Sequence, residues 1–530
     1  MKPLYYFTLC LFLFLNGLQA QQEFVRGRVL DSGNGEPVIF ATVRIKGKAI
    51  GVITNREGDF RVPMKFRESS DTLAISSMGY QKREVPIPDL SLSDISVIWM
   101  QPGVLDLDEA VVTAKGKRRM SARGIVRRAI RAIPQNYPKH TFSTIGYYRD
   151  YQYDKGKYVN LNEAILEVFD RGFDEMDNPT TKIRIYEHKQ NSRFKRDSLA
   201  ADRYDYKNHS KVIENAFLPA NGGNEFVILS IHDAIRNYRT NAYDFVNNME
   251  KGDLLENHSF KRGKDVYLGD ESLYVIGCSK NNKDYTALGK LFIAKGDFGI
   301  HKLEYSVYDH RSKKNTPGMG VNDTLGKLVF EVKTEYKSGP DNILYLNYIS
   351  FHNTFLLAIP PKFVVSEVGV NVRGAALNIY FNNPVQMDSH AEDRKNYTIR
   401  FQGKRIKVKE VRIVNDTLSR VHLDMKPKDL NAMIKEMDAL DRRGGQINTL
   451  LQVHVKDIHD VNGNLVNEWT SKAYDQFREY FVQKNIYFAQ IPTDGPFMDK
   501  RRPIFEDQPV QKPDDFLDYW MNTPLKTMKN

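Results

Sequence analysis

Between Phe24 and about Gly103, apolar residues fall in short runs that alternate with polar ones. Val25, Val29, Val43, Ile45, Val62, Leu73, Ile75, Val97 and Ile98 lie in such runs, which are separated by Asp31-Ser32-Gly33-Asn34-Gly35, Asn55-Arg56-Glu57-Gly58 and Met78-Gly79. Alternation with a period of two, closed by Gly, Asn and Asp, is the pattern of half-buried strands joined by tight turns. Glycine suits those turns because it reaches positive φ without a steric penalty. The pattern predicts a seven-stranded β-sandwich.

The periodicity then changes. Ala122, Ile125, Val126, Ala129, Ile130 and Ile133 recur at helical spacing, with Arg123, Arg127, Arg128 and Arg131 on the other side, and Pro134 is read as the stop. From Lys115 to Arg131 there are eight Lys or Arg residues and no acid. A basic amphipathic helix of this kind either lies on an anionic membrane surface or packs its apolar stripe on a sheet. The four arginines are the candidate membrane-surface residues. Asn162-Glu163-Ala164 reads as a second helix start and Tyr147-Tyr148-Arg149-Asp150 as a strand.

Farther on, Asp265–Leu268, Leu273–Ile276, Gly289–Ile293, Phe298–Val307, Lys327–Tyr336 and Ile343–Phe355 read as consecutive antiparallel strands of one sheet. Strict alternation puts Ile343, Tyr345, Ile349 and Phe351 on one face of the last strand and Leu344, Leu346 and Tyr348 on the other. A strand apolar on both faces needs cover on both sides. A helix over Ile231 to Val246 offers one cover, and a packed neighbour or an apolar ligand offers the other. Tyr345, Ile349 and Phe351 are the candidate apolar-ligand face.

Pro360-Pro361 marks a boundary. Beyond it, Ala376–Val385, Tyr397–Phe401, Ile406–Val414, Arg420–Met425 and Leu451–Val455 form another β pattern, interrupted by a helical stretch from Asp429 to Leu440. After Phe481 the chain carries Pro, Lys, Asp and scattered aromatics, among them Phe488, Phe497, Phe505, Phe516, Tyr519 and Trp520. This tail either wraps over another domain or binds a partner.

At the other end, Lys2, the apolar run Leu4 to Leu15 and the small residue Ala20 form the pattern of a secretory signal peptide, with a mature start near Gln21. The run is shorter than the ~20 apolar residues of a membrane span. Cleavage leaves Cys278 as the single cysteine, so no intrachain disulfide is expected despite export. The net charge of +11, without a nucleic-acid module, points to anionic lipid or polysaccharide surfaces.

The chemistry-bearing pairs are weak. His301-x-x-Glu304 lies on a strand, where residues three apart face opposite ways. A catalytic zinc also needs a third protein ligand. His454 and His459 are five apart on a strand and its turn. Asp460-Val461-Asn462-Gly463-Asn464 begins like a calcium loop, but its glycine comes too early and the closing acid is missing. With no nucleophile elbow, phosphate loop or His-Glu-x-x-His, no catalytic residue, metal site or cofactor is assigned.

Several of these segments resemble known families. Gly27-x-Val29-x-Asp31, Glu36-Pro37, Ala41-x-Val43-x-Ile45-Lys46-Gly47, Gly51-x-x-Thr54-Asn55-x-x-Gly58-x-Phe60-x-Val62 and Ser76-Ser77-Met78-Gly79-Tyr80 together resemble the carboxypeptidase regulatory-like domain. In the Bacteroidota this module precedes many TonB-dependent outer-membrane receptors. Leu107 to Val112 is similar to the segment that links it to a receptor plug, although no plug or barrel pattern follows. Ile133-Pro134-x-Asn136-Tyr137-Pro138, Tyr147-Tyr148-Arg149-Asp150 and Asn162-Glu163-Ala164 resemble Bacteroidota envelope proteins that carry the same first domain. Gly289 to Tyr305 is similar to the curved sheet of periplasmic lipoprotein carriers, which implies an unclosed half-barrel around an apolar cavity. The segment after Pro361 resembles bacterial immunoglobulin-like domains.

The sequence thus predicts a multidomain, β-rich chain: signal peptide 1–20, N-terminal β-sandwich 21–103, linker 104–120, central α+β antiparallel-sheet domain 121–360, immunoglobulin-like β-sandwich 361–470 and C-terminal extension 471–530. The expected function is non-enzymatic binding or scaffolding in the periplasm or at the periphery of the outer membrane. The central domain would hold a lipid or acylated ligand. The implied partners are an outer-membrane protein or an envelope lipid, with no nucleic acid and no transmembrane segment in the mature chain. The alternatives are a hydrolase of envelope polymers or peptides and an accessory subunit of a TonB-dependent receptor.

Overall fold

A computed structural model describes residues 24–103, 120–240, 254–268, 271–311, 321–322, 325–371, 373, 376–387, 390–414, 420–442 and 450–525. The signal peptide expected over 1–20 and the receptor-linker resemblance of Leu107–Val112 lie outside these residues. The chain forms two compact units. One contains the residues up to Lys207, Lys211–Phe355 and Ala473 onward, and the other contains Asn208–Ser210 and Leu356–Lys472.

In the first unit, the alternating N-terminal runs become seven strands, β1 (Phe24–Asp31), β2 (Thr42–Ile45), β3 (Gly51–Ile53), β4 (Asp59–Pro63), β5 (Thr72–Ser76), β6 (Arg83–Pro86) and β7 (Ser96–Met100). They form a three-stranded sheet in the order β4-β1-β7 and a four-stranded sheet in the order β3-β2-β5-β6. The inward residues Val25, Val29, Val43, Ile45, Val62, Leu73 and Ile75 are buried between them. Each such side chain contributes roughly 1.5–3 kcal/mol of burial. Gly27 has to be glycine because a Cβ there would stand 2.3 Å from the Phe60 ring.

The same unit holds a thirteen-stranded sheet. Its long strands are β8 (Phe142–Asp154), β9 (Lys157–Asp170), β10 (Lys182–Gln190), β14 (Glu271–Asn281), β15 (Tyr285–Ala294), β16 (Ile300–Asp309), β18 (Gly326–Ser338), β19 (Leu344–Ile359) and β27 (Thr470–Tyr487). The short strands are β11 (Lys211–Val212), β12 (Ser259–Arg262), β13 (Val266–Leu268) and β17 (Val321–Asn322). The main path runs β10-β9-β8-β27-β19-β18-β16-β15-β14-β12, so the sheet is open, with β10 and β12 at its edges. Strand β27 comes from the stretch expected to be a C-terminal extension, yet it lies in the middle. It is antiparallel to β8 from Asp475 opposite Tyr153 to Tyr487 opposite Phe142. The fully buried Arg149 and Glu479 form an ion pair across this seam, and Tyr151 donates to Glu479 at 2.9 Å.

One face of the sheet takes the sandwich. Phe40 meets Tyr348 at 5.2 Å between ring centroids, and Asn347 donates to Thr42 at 3.1 Å and accepts from Arg44 at 3.0 Å. The tail runs back over this unit, where Trp520 donates to the Arg61 carbonyl at 2.8 Å and packs on Phe66. On the other face sit α1 (Ala122–Asn136) and α2 (Glu225–Ile231). Ser121 caps α1, which buries Ile125, Val126, Ala129 and Ile133. Pro134 does not end that helix. It falls in the last turn, and the helix stops two residues later at Asn136.

Asn162–Ala164 belongs to β9 rather than opening a helix, because Leu161 and Ile165 serve a sheet core and Glu163 is bonded by Tyr147 and Asn191. The helix expected from Ile231 instead ends there, with His232 as its C-cap. Residues 241–246 of that expectation lie outside the described residues.

In the second unit, β20 (Val365–Asn371), β21 (Ala376–Phe381), β24 (Glu410–Ile413) and β25 (Arg420–Asp424) form one sheet, and β22 (Tyr397–Phe401), β23 (Lys404–Ile406) and β26 (Leu451–Val455) form another. Leu377, Ile379, Ile399, Val421 and Leu423 fill the core, and the helix α3 (Pro427–Asp441) adds Leu430 and Met433. Among the described residues, no helix is long and apolar enough to cross a membrane.

Candidate functional site

The candidate site lies between α2 and the sheet. Asn224 starts α2 by accepting from the Val227 N–H at 3.1 Å, and its own amide donates to the Arg502 carbonyl at 2.9 Å, tying helix to tail. Phe226, Val227 and Leu229 of α2 and Phe142, Val168, Phe173 and Ile183 line a cavity of about 70 Å³. Such a volume exceeds what a water molecule needs, about 10–15 Å³. It is below the ~300–1,000 Å³ of pockets that enclose a whole drug-sized ligand. In this state the cavity admits a small apolar group or the end of a chain.

Strand β19 contributes through a bulge. Tyr336 pairs with Leu346 and Glu335 with Tyr348, so Asn347 is an extra residue. A bulge resets the alternation of side chains. Leu346 and Ile349, three residues apart and on opposite faces by simple alternation, therefore both line the cavity. This corrects the single-face reading of Tyr345, Ile349 and Phe351. Ile349 is in the lining, whereas the Tyr345 ring packs on Phe142 and Tyr487 and its hydroxyl donates to Asp341 at 2.9 Å. Phe351 is stacked under His232 at 4.0 Å. Burial pushes the pKa of that histidine down to about 4.

One end of the cavity is polar. Arg236 holds Asp170 through two hydrogen bonds of 2.8 and 2.9 Å, and Tyr336 donates to Asp233 at 2.6 Å. Burial pushes the Asp233 carboxyl up to about 6, and burial likewise raises Asp177, against the pull of Arg236. Lys500, from the tail, donates to the carbonyls of Asn178 and Thr181. The arrangement is an apolar chamber with charged groups at one side, suited to an amphiphile. The sequence offered no sign of Asp170, Arg236 or Lys500, which come together from three distant segments.

The four arginines of α1 are exposed but not equivalent. Arg123 donates to the carbonyls of Leu255 and His258, and Arg128 lies 5.5 Å from the Phe298 ring centroid. His301 does not converge with Glu304, since its Nε2 stands 3.2 Å from Glu271 while Glu304 pairs with Lys302. Among the described residues, no group of three or more His, Cys, Asp or Glu side chains is arranged to hold a metal.

The sandwich identifies part of the chain. Residues 25–112 match the family described as CarboxypepD_reg-like domain, and this N-terminal segment belongs to it. Among individual proteins, the TonB-dependent receptor SusC of Bacteroides thetaiotaomicron is 38% identical over 98 residues, which are 18% of this chain and 9% of the receptor. The chain therefore spans under a tenth of that relative's length. Two solved structures align with 44% of this chain and 86% of their own. They are a LolA superfamily protein from Nitrosomonas europaea, with 11% identity and a TM-score of 0.20, and a DUF1329 family protein from Desulfovibrio piger, with 10% and 0.19. Scores this low carry no argument about fold or function.

Proposed function

We propose that this is an exported, non-enzymatic binding protein of the cell envelope, whose central sheet receives the apolar part of a lipid or acylated ligand between α2 and strands β8, β9 and β19. The observation that carries the reading is the chamber lined by Phe142, Phe173, Phe226, Leu346 and Ile349, with Arg236 and Lys500 at its polar end. Apolar ligands bind in such chambers mainly by leaving water. A whole acyl chain exceeds the present volume, so binding would move α2 outward. The exposed Arg127 and Arg131 would face anionic headgroups. The test is displacement of a fluorescent fatty acid from delipidated protein. Saturable binding that is lost on Ile349→Trp supports the reading, and absence of binding, or binding indifferent to that change, rejects it. Charge reversal of Arg123, Arg127, Arg128 and Arg131 would abolish liposome binding if the helix touches membrane.

The similarity of the N-terminal segment to SusC favours a second reading, an accessory subunit that docks on an outer-membrane receptor. Co-purification with a barrel protein, lost when the sandwich is deleted, would favour it.

A further inference from the structure

A second cavity of about 200 Å³ opens on the same face of the large sheet, and its walls are polar. Its floor is Asp150 of β8 and Asn162 of β9. Asn162 donates to Asp150 Oδ1 at 2.8 Å, and Tyr148 donates to Asp150 Oδ2 at 3.0 Å. Arg196 reaches in from the rim and donates to Asn162 Oδ1 at 3.0 Å. Phe505 of the tail forms part of another wall. Gly222 closes the rim at φ +65, where a Cβ would stand 1.9 Å from the Arg501 carbonyl, so the loop and the tail are held in close contact.

We infer that this cleft binds a small, neutral, polyhydroxylated ligand, a single sugar ring or a sugar residue at a chain end, through Asp150, Asn162 and Arg196. Three observations carry the inference. The first is the mixture of donors and acceptors. A carboxylate offers about four lone-pair sites and an amide offers both donor and acceptor, and Asp150 uses two of its sites on Asn162 and Tyr148. Hydroxyl groups both donate and accept, and match such a floor better than an ion does.

The second is charge. Charges of both signs line the cleft, Asp150, Asp202, Glu225 and Glu506 with Arg196 and Arg203, and Glu225 is paired with Arg478. Asp150 would oppose an anion, and Arg196, which acts on the same Asp150 charge, would oppose a cation, so a neutral hydroxylated ligand meets the least opposition. The third is size. The volume lies below the ~300–1,000 Å³ of drug-sized pockets, which suits one ring and excludes an extended oligomer. Phe505 supplies an apolar surface for the C–H side of such a ring. This cleft shares no lining residue with the apolar chamber, and the inference rests on the cleft's own residues.

The test is ligand-observed NMR and calorimetric titration of the full chain with glucose, galactose, mannose and N-acetylglucosamine, and with glucuronate and glucosamine as charged controls. At least one neutral sugar should bind. Asn162→Ala or Arg196→Ala should each weaken it about tenfold, the equivalent of one lost hydrogen bond. Arg196 is exposed, so that variant should keep the wild-type melting temperature and separates loss of binding from loss of fold. Failure of every neutral sugar to bind would overturn the inference. So would preference for a charged control, or affinity unchanged in both variants.

Discussion

Replacing Asp150 by asparagine isolates the electrostatic cost of the polar cleft. The carboxyl is 3% exposed. Its pKa is pushed up to about 7 from an ordinary 3.8 by burial and by Glu225, against the pull of Asn162, Tyr148 and Arg478. Arg196 and Lys211 also feel its charge. The folded chain holds this proton more tightly than the unfolded chain does. The penalty is therefore absent below about pH 4, grows between about pH 4 and pH 7, and is constant above that window. About three pH units at 1.36 kcal/mol each give a ceiling of ~4 kcal/mol. Water entering the cleft lowers it. Asparagine cannot ionise, but it has one acceptor oxygen in place of two, so Tyr148 or Asn162 loses its partner at a cost of ~1–3 kcal/mol at every pH. The variant should be the less stable protein near pH 4. Relative to wild type it should gain up to ~4 kcal/mol by about pH 8. Denaturant unfolding followed by the fluorescence of Trp520, which is buried in the same unit, measures the difference. A difference that stays constant with pH, to within about 0.5 kcal/mol, would refute the reasoning.

Other outcomes follow from the same contacts. Arg149→Met alone should cost about 3–5 kcal/mol by leaving Glu479 buried and unpaired, and adding Glu479→Leu should recover most of it, as measured by unfolding of the single and double variants. Gly222→Ala should destabilise by more than about 1 kcal/mol through its left-handed backbone and the Arg501 carbonyl, and should speed limited proteolysis near Arg501. Cys278 is buried, and burial pushes its thiol up to about 12. A thiol reagent at neutral pH should therefore modify it only on unfolding, and native-state labelling as fast as that of free cysteine would contradict its placement.

The N-terminal sandwich was legible because each strand carries its own alternation and each turn its own glycine or asparagine. The helix Ala122–Asn136 was legible for the same reason, since its apolar stripe is local. Of the middle strands, β8 was legible at Tyr147-Tyr148-Arg149-Asp150, but β9 and β27 were not, because their polar residues are satisfied by distant partners. Glu479 meets Arg149 across 330 residues, and Gln476 meets Gln152 across 324. Without those partners, Asn162–Ala164 reads as a helix start and the stretch after Phe481 as a tail. The apolar cavity was only half legible. The apolar character of β19 announced a buried strand, but nothing in its letters marks Asn347 as the bulge that brings Leu346 and Ile349 to one side. The polar cleft left a fainter sign in Tyr148-Arg149-Asp150, charged residues set among aromatics in a strand.

The most direct test of the central claim is native mass spectrometry of the protein purified from its own envelope without added lipid, followed by solvent extraction of whatever it carries. A stoichiometric lipid or acylated molecule should accompany the wild-type chain and be absent from the Ile349→Trp variant. A clean mass for the chain alone would contradict that claim.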